Sequence, residues 1–283
     1  MTATQEASHQ ASKTPTTESP NGRLGGASPV KGVTPNIEVA PVQRRPRNPA
    51  PWPLDLYQSA VGKKWVMALS GVGLMGFVFA HMVGNLKMFI PDDGKEFDDY
   101  SESLRTLLYP ILPNTTFLWI MRIGLICLFA IHLHSAYSLT ILNRRARPQQ
   151  YSQRDYIAAS WAARTMRFSG ILVIAYLFIH LANLTWGVQA LDDHRFVDGR
   201  AFHNTVTSLS QPWLAAIYII GNLALAVHLF HGAWSLFQSL GVNNPRLNPW
   251  RKGFAYGFTA IVCGFNISFP ILILAGVVTQ VPR

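Results

Sequence analysis

The chain has 283 residues, of which 49% are hydrophobic and only 13% charged, and it carries a formal net charge of +10. A soluble domain is about a quarter charged, so this composition excludes an ordinary soluble enzyme domain and points to a membrane protein. The excess of cations sits in a polar tail and in loops between apolar runs, so it is read as membrane topology and not as nucleic-acid binding.

Residues 1–50, with stretches such as SPNGRLGGASPVKG, have no apolar core segment and are expected to form a disordered tail. No hydrophobic region suited to a secretory signal precedes Trp52, so the N-terminus is expected to stay inside. Five windows follow, at about 65–90, 114–142, 168–190, 213–240 and 254–280, each long enough for the roughly 20 apolar residues that cross a hydrocarbon core. The expected fold is an all-α integral membrane protein, residues 51–283, with five transmembrane helices in an up-down bundle. Lys63 and Lys64 precede the first window, Arg144, Arg145, Arg147, Arg154, Arg164 and Arg167 follow the second, and Arg246, Arg251 and Lys252 follow the fourth. Lys and Arg are retained on the cytoplasmic side, which orients the bundle N-in and C-out in the cell inner (plasma) membrane. The external segments PDDGKEFDDYSESLR and LDDHRFVDGR are acidic and mixed. The basic inner face suits anionic lipid headgroups or an acidic protein partner.

Histidine is the informative residue. His81 lies in the first window, His132 and His134 in the second, His180 in the third, and His228 and His231 in the fourth. Ionisable side chains are costly inside a membrane and normally face the bundle interior along a functional path. Counted from the inner end of each window at about 1.5 Å per residue, His134 and His228 lie about 12 and 18 Å deep, and His180 and His81 about 20 and 27 Å. This separates an inner pair from an outer pair. Two imidazoles from facing helices are what a b-type haem needs, one on each side of the iron.

The order and spacing of FVFAHMVGNLKMF, LHSAYSL, RFSGILVIAYLFIHL and HLFHGAWSLFQSLG resemble the single-chain, five-helix cytochrome b anchor subunit of succinate dehydrogenase and fumarate reductase, respiratory complex II. The resemblance covers roughly residues 60–280 and implies one or two b-type haems. It assigns His81 and His180 to an outer, distal haem and His134 and His228 to an inner, proximal one. His134 is chosen over His132 because it precedes a small residue and an aromatic, Ser135 and Tyr137. His228 is chosen over His231 because it stands four residues before Gly232. The resemblance also implies flavoprotein and iron-sulfur subunits docked on the inner face, on the loop 144–167 and the adjoining helix ends, with electrons passing through the bundle to a quinone. The chain carries no nucleotide or flavin fingerprint and is not expected to oxidise succinate alone.

The two cysteines, Cys127 and Cys263, open a rival cofactor. With His132 and His231 they could supply a Cys2His2 Rieske-type [2Fe-2S] cluster, although the usual soluble signature is absent. The simpler reading is two inert, buried small hydrophobes. For a quinone site the candidates are Arg122, Asn85, Asn183 and Trp186. Arg122 could equally snorkel to the outer interface, and the asparagines could join helices. Two further readings are a cofactor-free structural anchor and a histidine-relay proton channel or transporter.

Overall fold

A computed structural model of the chain describes residues 51–145, 159–192, 195–242 and 244–279, leaving aside the side chains of 53, 159–164 and 192. The expected polar tail, Arg147 and Arg154 lie outside the described residues, as does the side chain of Arg164. All regular structure among the described residues is helical. A short helix α1 (Trp52–Gln58) leads into α2 (Ala60–Asn85), which a 3₁₀ turn (Leu86–Phe89) closes. Then come α3 (Lys95–Thr106), α4 (Thr116–Arg145), α5 (Ala159–Leu184), α6 (Gln189–Asp192), α7 (Ala201–Leu209), α8 (Pro212–Ser239) and α9 (Asn248–Leu274). Five of these, α2, α4, α5, α8 and α9, are long and apolar enough to cross a membrane.

The ends differ from those read in the sequence, for local reasons. The fifth helix begins at Asn248 with Pro249 in its first turn, where proline's fixed φ and missing N–H cost nothing. It therefore takes in Arg251 and Lys252, which the sequence reading had placed in a loop. The third crossing helix stops at Leu184 rather than near residue 190.

Helix α4 packs on α2, α5 on α8, and α8 on α9, with α2 also meeting α8 and α9. Ile120, Ile123 and Ile126 of α4 point away from the protein. In lipid such side chains lose nothing by being exposed, and helices associate through packing and polar contacts instead. Two helices that the sequence reading had treated as loop, α3 and α7, pack together over one end of the bundle. Phe97 of α3 meets Phe202 of α7 edge to face, and both join Met88, Val206, Leu209, Tyr218, Phe269, Ile273 and Val278 in one core. The core thus gathers the C-terminal ends of α2 and α9 and the N-terminal part of α8, as alternating helix directions require. Asp98 Oδ1 accepts the Phe202 N–H at 2.8 Å and pins the start of α7.

This cap depends on Gly94, which has a φ of +80° and whose added Cβ would lie 2.1 Å from the Phe202 ring. Gly94→Ala must therefore pay for a left-handed backbone, about 1–2 kcal/mol, as well as move an aromatic ring. The expected result is a lower midpoint of thermal unfolding in detergent, with a loss of at least about 2 kcal/mol; an unchanged midpoint would show that the cap is not a stabilising unit.

Candidate functional site

The structure brings four histidines into two cross-helix pairs. His81 of α2 and His180 of α5 stand with ring centroids 5.8 Å apart and planes at 89°. His132 of α4 and His228 of α8 stand 6.4 Å apart at 70°. The outer pair is the one expected from the sequence. The inner pairing requires a correction, because His132, not His134, faces His228. Two residues turn a helix by about 200°, so His132 and His134 cannot both face inward. His134 points the other way, stacks on Tyr57 of α1 at 5.9 Å and shares a hydrogen bond with its hydroxyl. His231 is buried beside Phe230.

The inner rings are held by their partners' backbones. His132 Nδ1 lies 3.2 Å from the Met67 carbonyl and 3.3 Å from Ser70 Oγ, both on α2. A carbonyl can only accept, so Nδ1 carries the proton and Nε2 keeps the lone pair. His228 Nδ1 lies 3.4 Å from Ser169 Oγ on α5, and the same ring also bonds the Met166 backbone. The two environments match in sequence: Met67, Ser70, Gly71 and His81 on α2 have the same spacing as Met166, Ser169, Gly170 and His180 on α5. A Cβ on Gly71 or Gly170 would come 3.5 or 3.4 Å from the Cε1 of His132 or His228, ordinary van der Waals contact, so α2 and α5 pass beside the rings at normal packing distance.

These residues fit a bis-histidine metal centre. An imidazole nitrogen binds a first-row metal at about 2.0–2.1 Å and the ring centre lies about 1 Å beyond, so two rings on opposite sides of one ion stand about 6 Å apart. Both observed separations agree with that value. His180 Nδ1 is buried and has no hydrogen-bond partner, as would suit a ring whose environment is completed by another group.

The four donors of an iron-sulfur cluster are not assembled. Cys127 is exposed on α4, Cys263 is buried on α9 among Met82, Leu229 and Val262, and the two are not bonded to each other. Among the described residues no group of three or more His, Cys, Asp or Glu stands close enough to hold a metal ion.

The quinone candidates scatter. Arg122 is exposed with its guanidinium 5.1 Å from the Trp119 ring, and Trp186 is exposed at the end of α5. Asn85 is the last residue of α2, half-buried. Asn183 is fully buried, donating to Tyr218 Oη at 3.2 Å and accepting from Ser208 Oγ at 3.1 Å. Asn222 donates to Tyr176 Oη at 3.2 Å, and both tyrosine rings lie within about 6 Å of His180. A buried amide and phenol cluster therefore surrounds one member of the outer pair. Sequence reading missed Tyr57, Ser70, Ser169, Tyr176 and Tyr218; the repeated Met-x2-Ser-Gly-x9-His spacing was the available signal for the serines.

The fold defines a multi-pass, all-α membrane protein whose helices bring four histidines together in two cross-helix pairs. One curated relative, the succinate dehydrogenase hydrophobic membrane anchor subunit of Halobacterium salinarum, is 28% identical to this chain over 89 residues, 31% of this chain and 62% of the relative. That similarity supports the anchor-subunit family, and the matched stretch spans less than two-thirds of the relative's own length. No family model and no solved structure matches.

Proposed function

We propose that this chain is the membrane-anchor and electron-transfer subunit of a succinate:quinone oxidoreductase in the inner (plasma) membrane, with b-type haem at two histidine pairs. The observation that carries the reading is the pairing itself: two cross-helix bis-histidine sites, each with rings about 6 Å apart. His132 meets α2 at Ser70, eleven residues before His81. The two sites are therefore stacked about 16 Å apart along the bundle, about half a hydrocarbon core. Haem at these sites would supply one-electron chemistry. The protein's own part is to hold imidazole nitrogens in place and to exclude water with apolar helix faces. Flavoprotein and iron-sulfur subunits docked on the inner face would deliver electrons, and a membrane quinone would receive them. The rival Cys2His2 cluster is disfavoured by the separate surroundings of Cys127 and Cys263.

A dithionite-reduced minus oxidised spectrum of the detergent-purified protein, with the subunits that accompany it, tests this reading. Sharp b-type bands are expected. Iron with acid-labile sulfide and no such bands would sink it in favour of the cluster, and the absence of both would leave a structural anchor. His134→Ala should keep both haem contributions and cost only about 1 kcal/mol through the lost Tyr57 bond. Loss of one haem in His134→Ala would instead restore His134 as a ligand.

A further inference from the structure

We infer that Ser70 and Ser169 are positioning residues for the inner histidine pair, fixing which imidazole nitrogen binds and how each ring is turned. The inference rests on the haem reading above, and it concerns residues of this chain that touch the ligands but not the metal.

Each serine sits on the helix opposite its histidine and is almost fully buried, at 3% and 4% exposure. Ser70 Oγ donates to the Val66 carbonyl at 2.7 Å, with Met67 at 3.1 Å, and Ser169 Oγ donates to Met166 at 3.2 Å. Each hydroxyl proton is thus already committed to its own helix, which leaves the oxygen lone pairs to accept. What they accept is the Nδ1–H of His132 at 3.3 Å and of His228 at 3.4 Å. Together with the Met67 carbonyl, 3.2 Å from His132 Nδ1, and the Met166 backbone, which bonds the His228 ring, each serine holds the proton on Nδ1, leaves Nε2 as the electron-pair donor, and sets the rotation of the ring about its Cβ–Cγ bond. Outer partners of this kind raise the basicity of a ligating imidazole. A hydroxyl needed only to satisfy itself in a helix would bond its own carbonyl and nothing more. Here the same geometry occurs twice, at equivalent positions of two helices, each time against a histidine of the neighbouring helix. The outer pair has no such serine: one turn from His81 stand Phe77 and Asn85, and one turn from His180 stand Tyr176 and Leu184.

The experiment uses the purified complex carrying Ser70→Ala, Ser169→Ala, or the corresponding Ser→Thr changes, which keep an Oγ. Low-spin haem EPR and potentiometric titration are the readouts. The expected result is that each alanine variant changes the g values of one haem and shifts its midpoint potential upward, because a less basic imidazole stabilises reduced iron. The other haem should be unaffected, and threonine should restore the parental signal. Unchanged spectra and potentials in both alanine variants, or equal shifts of both haems, would overturn the positioning role while leaving the haem reading intact. A parent complex without low-spin haem would overturn the haem reading itself, and this inference with it.

Discussion

Replacing His228 by alanine is expected to remove the inner haem and leave the outer one, about halving the b-type absorbance per complex. His132→Ala should do the same, since a bis-histidine site with one donor is no longer closed on both faces. On the proposed reading, reduction of quinone by succinate should collapse in both variants, because the inner site would be the first to receive electrons from subunits docked on the inner face. Reduction of a soluble dye by those subunits should persist. The prediction separates three assignments cleanly. If His134→Ala and His228→Ala lose the haem while His132→Ala keeps it, the ring facing His228 in the structure is not the ligand. If all four paired histidines can be changed without spectral effect, the pairs are packing contacts between neutral rings.

The second large effect is expected at Arg251, which has no exposed surface although it lies in the first turn of a membrane-crossing helix. Its Nη1 donates to Asn248 Oδ1 at 2.7 Å and its Nη2 to the Trp234 carbonyl of α8 at 3.1 Å. Each hydrogen bond to a charged group is worth about 1.5–3 kcal/mol, so losing both in Arg251→Leu should cost about 3–6 kcal/mol. The loss should appear as a lowered unfolding midpoint in detergent and as detachment of the inner turn of α9, seen by faster amide exchange around Trp250 and Phe254. Arg251→Lys should recover little, since one ammonium cannot reproduce the planar fork that reaches both acceptors. A wild-type midpoint in Arg251→Leu would show that the guanidinium contributes only loop charge, as the sequence reading had it.

The five crossing helices and the histidines inside them were legible because lipid enforces a simple rule. Without water to satisfy backbone groups, a crossing segment must be helical and about 20 residues long, and an imidazole within it stands out. The outer pair, His81 with His180, could be named on that basis. The inner partner could not. Nearly every face of α4 is apolar, so the sequence holds no stripe that says which of His132 and His134 turns inward. Arg251 was misplaced for a related reason: a cation beside an apolar run reads as the loop that ends it, whereas Pro249 starts the helix earlier and α8 supplies a carbonyl to receive the guanidinium. Helices α3 and α7 escaped notice because both are too short to cross a membrane and α3 is polar, and each is held by the aromatic ring of the other.

What the sequence determined by itself is the solvent of this protein, the number of crossings and the presence of histidine at two depths, since hydropathy and rise per residue are local properties. What only the tertiary structure decided is the rotation of each helix. Rotation is set by contacts between helices, such as those of His132 with Ser70 and the Met67 carbonyl and of His228 with Ser169, and in a lipid-like environment those contacts, not apolarity, choose the facing side.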